Sequence, residues 1–239
     1  MVLLVRDRKR TVDATAALDR HLDIIAQAFS GNLDLRALHT RKLADTLVAA
    51  SRSPLYRSWL PSLIEEGILG RPVEEVLPRI RLLDKFDSNA RSYEAFSLPI
   101  YRFLHYYETS GTTGQPAATP KALDDLIINT VNIGEMWARL LTPRDVALIL
   151  IIAPLGPAPY QFEKVFEYLG IMSVKPWVDY IDGDYTKVLD LIDKLSVSVF
   201  VGAPSRLLAM IQFAVRHGRP IPQFKHLLLI AEQTGPAHL

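Results

Sequence analysis

The spacing of apolar residues changes in character near residue 145. Before that point, apolar residues recur three or four positions apart over residues 12–50, which predicts helix, and Gly31-Asn32 divides this stretch into two helices. From Gly70 to Ser97 the pattern is irregular, and we assign it no catalytic role. Pro99 to Tyr107 is rich in β-prone residues, so we expect a strand there.

Beyond Asp124-Asp125 the chain alternates between helices and strands. A helix begins at these two acids and stops before Pro143, and the eight apolar residues Val146 to Ala153 predict a strand buried on both faces. The next helices are expected at 160–169, 184–195 and 204–217, and the next strands at 172–177, 197–201 and 226–231.

This alternation is typical of βαβ units, so the fold class we predict is α/β. We expect a helical N-terminal segment, residues 1–98, packed on the main domain, and an α/β part with a mainly parallel sheet, residues 99–239.

Composition removes several classes of function. The formal net charge of +1 provides no field to recruit nucleic acid or an anionic membrane, so neither is expected as a partner. The absence of cysteine excludes disulfides, thiolate metal sites and a cysteine nucleophile, and the six histidines lack zinc-ligand spacing. We therefore predict no metal ligands.

With no secretory signal and no apolar run of about 18 residues, we expect a cytoplasmic protein. The sequence carries no signal of an oligomeric state.

One short stretch has the chemistry of a loop that wraps a polyphosphate. Thr109 to Gly114 places two glycines, three threonines and one serine in six positions. Glycine lets backbone N–H groups approach an anion closely, and the hydroxyls add uncharged donors. A Walker P-loop is disfavoured because no Lys follows Gly114. The predicted cofactor-binding residues of this loop are Thr109, Ser110, Gly111, Thr112, Thr113 and Gly114.

The run Ser110-Gly111-Thr112-Thr113-Gly114-Gln115-Pro116 resembles the Ser-Gly-Thr-Thr-Gly-x-Pro signature of the adenylate-forming superfamily, which includes the acyl-CoA synthetases. Upstream, Ser53-Pro54-Leu55-Tyr56-Arg57 resembles a segment of the phenylacetate-CoA ligase branch. The resemblance implies an enzyme that uses ATP and Mg²⁺ to convert a carboxylic acid to an acyl-adenylate. Many members then transfer the acyl group to CoA, and the branch implies an aromatic or cyclic acid as the small-molecule partner.

Two further segments that follow predicted strands are candidate binding sites, because ligands of parallel sheets collect where the strands end. Ala231-Glu232-Gln233 resembles the superfamily segment that lies against the adenine, with Ile230 in place of a glycine. A Glu in this position is alternatively a neighbour of a helix N-cap. Gly156 and Tyr160 fall where the superfamily has a wall of its acyl pocket, and a plain strand-to-helix turn is the equal alternative.

The resemblance covers about half of a superfamily member. The Mg²⁺-binding Glu, the ribose-binding Asp and the catalytic Lys of the superfamily would follow Leu239, so we expect an N-terminal part that lacks the C-terminal subdomain, and we assign no catalytic residue. Ala117 stands where many members have Lys, and we do not transfer that role to Lys121. Two alternatives remain: a naturally short, non-catalytic homologue that binds nucleotide or a partner protein, and an unrelated α/β nucleotide or phosphate-ester enzyme with a convergent loop.

Overall fold

The chain divides into two compact units. The computed structural model describes residues 6–109, 115–153 and 155–233. The N-terminal unit is Asp7–Leu126, and the C-terminal unit comprises Met1–Arg6 and Ile127–Leu239. The predicted domain boundary at residue 98 stays a prediction.

Two long helices begin the N-terminal unit, α1 (Arg8–Phe29) and α2 (Leu35–Ala50). Each starts at an aspartate, Asp7 or Asp34, whose carboxylate accepts backbone N–H groups of the first turn. Gly31 adopts a φ of 74°, a conformation that favours glycine, and separates the two helices. The predicted break at Gly31-Asn32 is therefore confirmed.

The rest of the N-terminal unit contains short helices, and some of them pack around a small apolar core. They are α3 (Leu60–Glu65), α4 (Val73–Val76) and α5 (Lys85–Ala90), with 3-10 turns at Leu77–Arg79, Ser92–Ala95 and Ile100–Arg102. The core contains Leu47, Leu60, Ile68 and Val76. Ser53 is buried and donates its hydroxyl to the Ala50 carbonyl at 2.8 Å, and the Tyr56 ring packs edge-on against Trp59. The Ser53–Arg57 segment therefore packs into this core.

The predicted strand at residues 99–107 is wrong over its first half. Pro99 precedes the 3-10 turn Ile100–Arg102. Only then does the chain become extended, and residues 104–109 pair antiparallel with residues 117–121 through bridges at His105–Lys121 and Glu108–Ala118. The β-prone composition of residues 99–107 predicted a strand, but the partner segment is short, so the pairing is limited to these few residues.

The C-terminal unit is built on a four-stranded parallel sheet. Its strands are β1 (Val146–Leu150), β2 (Met172–Val174), β3 (Val199–Gly202) and β4 (His226–Leu229), in the order β2-β1-β3-β4. Helix α6 (Leu123–Trp137) precedes β1, and the crossovers are α7 (Ala158–Leu169), α8 (Thr186–Leu195) and α9 (Pro204–Arg216). The predicted α/β class and parallel sheet are confirmed.

The sheet is buried on both faces, as the apolar run at Val146 predicts. Helices α8 and α9 cover the face that carries Leu148, Leu150 and Phe200. Helix α7 and the Trp137 end of α6 cover the face that carries Ile149 and Val201. Each of these five strand residues is fully buried, which stabilises the fold by about 1.5–3 kcal/mol per large side chain. No helix in the described part of the chain is both long and apolar enough to cross a membrane.

A buried carboxylate joins the strands at the amino end of the sheet. Asp145, directly before β1, accepts hydrogen bonds from the backbone N–H and the hydroxyl of Thr142 and from the Ser198 hydroxyl at 2.8 Å. The Lys225 ammonium lies 3.5 Å away. Burial raises the pKa of Asp145, but the hydrogen bonds from Thr142 and Ser198 and the Lys225 charge outweigh burial and lower that pKa to about 2.

Candidate functional site

The two segments that flank the predicted polyphosphate loop form a paired stem, residues 104–109 and 117–121. The Thr109 N–H donates to the Ala117 carbonyl at 3.1 Å, and the Thr119 N–H donates to the Tyr107 carbonyl at 2.7 Å. Because these bonds hold the two ends of the loop together, the stem offsets part of the entropy of closing the loop. The predicted residues Ser110, Gly111, Thr112, Thr113 and Gly114 lie outside the described residues.

Thr109 is the one predicted loop residue that the structure describes, and it belongs to the stem. Its hydroxyl oxygen accepts the Ala117 N–H at 2.9 Å. A hydroxyl that accepts a hydrogen bond keeps its own proton to donate. The role of Thr109 in phosphate binding stays a prediction, and the observed contact shows that its side chain also closes the stem.

The 3-10 turn Ser92–Ala95 braces both arms of the stem. Ser92 is buried and its hydroxyl accepts the Ala118 N–H at 3.1 Å. The next residue, Tyr93, stacks on Tyr106 with ring centroids 6.4 Å apart, and their hydroxyls lie 2.5 Å apart. Two adjacent residues of one turn thus hold the entering arm and the returning arm. Sequence reasoning assigned no role to this turn, because nothing local marks Tyr93 as a partner of Tyr106.

The entering arm carries a carboxylate immediately before Thr109. The Tyr106 hydroxyl donates to Glu108 Oε1 at 2.5 Å. This hydrogen bond to Glu108, together with the one to Tyr93, raises the pKa of Tyr106, because removing the phenol proton would place a second negative charge beside the carboxylate. The phenol is therefore a fixed donor at neutral pH.

The parallel sheet of the C-terminal unit has a topological switch point between β1 and β3. The chain passes from β1 to β2 on one side and then to β3 and β4 on the other side, so the segments after β1 and β3 lead away from each other. Open parallel sheets bind ligands at such a point. The segments that follow β1, β3 and β4 are residues 151–156, 203–205 and 230–233.

The Glu232 side chain is held by the start of helix α9. Its two carboxylate oxygens accept the Ser205 N–H at 3.0 Å and the Ser205 hydroxyl at 2.6 Å. Glu232 therefore caps the first turn of α9, whereas the alternative given above was only that it neighbours a helix N-cap in the sequence. The neighbouring Arg206 donates to the Tyr180 carbonyl at 2.6 Å, which ties the segment after β2 to the same helix start. The Ser205 contact was not predicted, since the two residues lie 27 positions apart.

The backbone at Ala231 turns sharply. Ala231 has a φ of 70°, in the left-handed region that residues other than glycine seldom occupy. One residue earlier, the Ile230 N–H donates to the Gly202 carbonyl at 3.0 Å, so the turn begins where β4 stops pairing with β3. Ala231, Glu232 and Gln233 are all exposed. A flat base could lie against this exposed backbone, and adenine binding by the three residues stays a prediction.

Gly156 and Tyr160 lie after β1 at the same end of the sheet. Gly156 donates its N–H to the Ala153 carbonyl at 3.0 Å, and a Cβ at Gly156 would come within 2.8 Å of the Ala153 Cβ. Tyr160, on the first turn of α7, is partly exposed, and the Lys175 ammonium lies 4.6 Å from its ring centroid. Lys175 also pairs with Glu163 at 2.6 Å. The cation covers one face of the phenol ring, and the predicted acyl-pocket role of both residues stays a prediction.

The structure thus separates the predicted site residues into two groups. Thr109 belongs to the stem of the N-terminal unit, whereas Gly156, Tyr160 and Ala231–Gln233 surround the carboxyl end of one sheet in the C-terminal unit. Within residues 6–109, 115–153 and 155–233, no group of three or more acidic or histidine side chains is arranged to hold a metal ion.

No protein-family profile and no curated protein matches this chain. Among solved structures, an open conformation of 2-hydroxyisobutyryl-CoA ligase, in complex with its acyl-AMP (2-HIB-AMP) and CoA, is similar with a TM-score of 0.69 and 16% identity. The similarity covers 83% of this chain and 45% of that one. The same ligase in its thioesterification state gives a TM-score of 0.66 and 18% identity, covering 80% of this chain and 42% of that structure.

These similarities establish the fold. The chain has part of the α/β fold seen in 2-hydroxyisobutyryl-CoA ligase and spans less than half the length of the solved structures that it matches. At 16–18% identity the likeness establishes no activity for this chain, and any activity has to be argued from its own residues.

Proposed function

We propose that this chain carries the nucleotide-binding part of a ligase that uses ATP to activate a carboxylic acid as an acyl-adenylate. The observation that carries the proposal is the Ser110–Pro116 run, which matches the superfamily signature at every fixed position and connects the two arms of a braced stem. Support also comes from the fold, since the similar CoA ligase was solved with an acyl-AMP and CoA.

The loop residues act on the phosphates of ATP by donating hydrogen bonds. ATP supplies the adenylyl group and pyrophosphate as the leaving group. Backbone N–H groups at Gly111 and Gly114 and the hydroxyls of Ser110, Thr112 and Thr113 would hold the phosphate oxygens in position. Transfer at phosphorus depends mainly on positioning and charge stabilisation, which donors of this kind supply. Mg²⁺ would add further charge stabilisation, and its ligands are not among the residues we assign.

In the C-terminal unit, we assign adenine binding to the exposed backbone of Ala231–Gln233. The Ser205 contact fixes the Glu232 side chain, so the base would meet the main chain and one face of this segment. Gly156 and Tyr160 would line the acid pocket. An aromatic or cyclic acid fits the phenylacetate-CoA ligase branch that Ser53–Arg57 resembles, and CoA is the acyl acceptor that this branch uses.

Binding of ATP tests the role of the loop. In the double variant Gly111→Val/Gly114→Val, we expect ATP affinity to fall by more than about tenfold, because branched side chains block the backbone from the phosphates. The matched control is Gly31→Val, which strains another turn of the same unit, where a Cβ would meet no atom within 4 Å. Calorimetric titration with ATP measures the affinity of each variant. An unchanged ATP affinity in the double variant, at an unaltered melting temperature, would refute the loop assignment.

Catalysis is tested on the protein purified from its source, with its intact mass compared with the 26.8 kDa of this chain. We expect pyrophosphate exchange that depends on an added aromatic or cyclic acid. ATP binding without exchange, in a protein of 26.8 kDa, would instead identify a non-catalytic homologue. ATP hydrolysis without any carboxylate would identify an unrelated phosphate-ester enzyme.

A further inference from the structure

We infer that the turn at Ile100 and the start of helix α1 form a surface that binds an anionic membrane at its headgroups. The inference goes beyond the proposed function and does not depend on it. It concerns the N-terminal unit alone. We call this region the Ile100 surface, and its residues are Arg8, Lys9, Arg10, Tyr93, Phe96, Ile100, Tyr101, Arg102 and Phe103.

The 3-10 turn Ile100–Arg102 exposes two large apolar side chains, which form the tip of the surface. Ile100 is 64% exposed and Tyr101 is 77% exposed. Directly after the turn, Phe103 begins a row of rings that continues through Phe96 to Tyr93, with ring centroids 5.5 Å apart at each step. Tyr93 is exposed in its turn. A contiguous exposed apolar area of this kind marks a contact with another protein or with a membrane.

Four basic side chains lie beside the apolar tip. The Arg10 guanidinium donates to the Arg102 carbonyl at 3.3 Å, so the first turn of α1 lies against the turn at residues 100–102. The same turn of α1 carries Arg8 and Lys9, which are exposed, as Arg102 is. Among the residues that the structure describes, no carboxylate lies within 4.0 Å of any of these four cations.

The positive charges at the start of α1 do not stabilise that helix. The positive end of a helix dipole lies at its N-terminus, so cations in the first turn are unfavourable there, and this turn contains no acidic residue. Asp7, the N-cap, accepts the backbone N–H groups of Lys9 and Arg10. The next carboxylate of the helix, that of Asp13, lies about one turn further on. The basic side chains are therefore available to an anionic partner.

An apolar tip beside cations favours a membrane over an acidic protein. Ile100 and Tyr101 belong to a three-residue turn, which offers a partner protein neither a strand edge nor a helix face. A lipid surface requires no such match. Apolar side chains enter the boundary between headgroups and acyl chains, tyrosine is enriched at that depth, and cations meet the anionic headgroups. The net charge of +1, from which the sequence analysis expected no membrane partner, averages over the whole chain and conceals this local excess.

Co-sedimentation with lipid vesicles tests the inference. We expect the chain to bind vesicles of phosphatidylcholine with about one third phosphatidylserine, and to bind vesicles of phosphatidylcholine alone at least about tenfold more weakly. Arg8→Gln/Lys9→Gln should lower the affinity for the anionic vesicles by about 25-fold, because each basic residue near such a surface contributes about fivefold. The matched control is Arg41→Gln/Lys42→Gln, which removes two exposed cations from α2 of the same unit.

A second variant tests the apolar tip. Ile100→Ser/Tyr101→Ser should lower the affinity for the anionic vesicles by about tenfold or more, because the buried apolar area is lost. The binding that remains should disappear at high salt, since it depends on charge alone. Leu77→Ser/Leu82→Ser, which removes two exposed apolar side chains of the same unit, is the matched control. All of these residues are exposed, so an unaltered melting temperature checks that each variant is folded.

Several results would overturn the inference. Equal binding to both kinds of vesicle, or binding to neither, would show that the surface does not recognise an anionic membrane. An unchanged affinity in either test variant, or an equal loss in its control, would show that other residues are responsible. Binding to soluble polyglutamate that is as strong as binding to the anionic vesicles, and unaffected by Ile100→Ser/Tyr101→Ser, would identify an acidic protein as the partner instead. None of these measurements involves ATP, so their failure leaves the proposed function unaffected.

Discussion

The two ends of the parallel sheet carry similar polar contacts in very different surroundings. At the amino end, the carboxylate of Asp145 accepts a hydrogen bond from the Ser198 hydroxyl at 2.8 Å, and the residue is 5% exposed. At the carboxyl end, the carboxylate of Glu232 accepts a hydrogen bond from the Ser205 hydroxyl at 2.6 Å, and the residue is exposed. The chemistry of the pair is the same, and the access of water differs.

The difference in exposure determines whether the residues at each end of the sheet are accessible to a ligand. A buried carboxylate is tolerated only when its oxygens are hydrogen-bonded, and Asp145 has Thr142, Ser198 and Lys225 as partners. The Asp145 contact is thereby closed to water, and we call the amino end the closed end for this reason. At the carboxyl end the backbone of Ala231–Gln233 stays exposed beside the Glu232 contact. The contact at the closed end stabilises the strands, whereas the residues at the carboxyl end, which we call the open end, are exposed and accessible.

The largest expected effect comes from removing each carboxylate in turn. Asp145→Ala should lower the free energy of unfolding by about 3 kcal/mol, because the Thr142 and Ser198 donors and the Lys225 charge lose a buried acceptor. Glu232→Ala should lower it by about 0.5–1 kcal/mol, the usual loss for an exposed cap. Urea denaturation followed by tryptophan fluorescence measures both changes.

Variants of the serine partners, Ser198 and Ser205, provide the controls for Asp145→Ala and Glu232→Ala. Ser198→Ala removes one of several donors to Asp145, so we expect a smaller loss than Asp145→Ala produces. Ser205→Ala leaves the Ser205 N–H contact to Glu232 in place and should change stability least. Equal losses for the Asp145 and Glu232 variants would contradict the distinction between a closed end and an open end.

A smaller loss of stability is expected at acidic pH. The pKa of Asp145 in the folded chain, about 2, lies below its ordinary value of 3.8. The unfolded chain therefore binds more protons in this range. The stability contributed by Asp145 is complete above about pH 4 and is lost as the pH falls toward 2, by about 1–2 kcal/mol.

The matched variants isolate this contribution from other titrating groups. Asp145→Asn keeps the shape and removes the titration, so the difference in stability from the wild type should narrow as the pH falls from about 4 to 2. Glu232→Gln should retain the acid loss of the wild type. A constant difference between wild type and Asp145→Asn across this range would show that Asp145 titrates normally in the folded chain.

The strands of the sheet were predictable because their signal is local. The apolar run at Val146 and the helices between strands identify buried parallel strands without knowledge of any contact. The run also overestimates β1, which ends at Leu150, because strand length depends on pairing with the neighbours rather than on composition. For the same reason Pro99–Tyr107 was wrongly predicted as a continuous strand.

The polar contacts around the candidate site were less predictable because they join residues distant in the sequence. Tyr93 meets Tyr106 across 13 positions, and Ser205 meets Glu232 across 27. Periodicity carries no information about such pairs. The loop motif could be predicted because its glycines, serine and threonines are residue types that bind phosphate groups. The turn that braces the stem lies in a stretch without any such pattern.

The smallest effect we predict tests the backbone of the open end. Ala231 has a φ of 70°, so Ala231→Gly should relieve backbone strain. Glycine also loses more conformational entropy on folding than alanine does, and the net result should be a free energy of unfolding that is higher by about 0.5 kcal/mol. Ala209→Gly, in the interior of α9, is the control. A helical residue has a negative φ, so no strain is relieved there, and this variant should be less stable by about 1 kcal/mol. Because the Glu232 contact follows Ala231 directly, a stabilising Ala231→Gly would indicate that the strained turn is retained for the shape that it gives to the exposed backbone. A loss of stability in Ala231→Gly, as in Ala209→Gly, would show that the turn carries no strain.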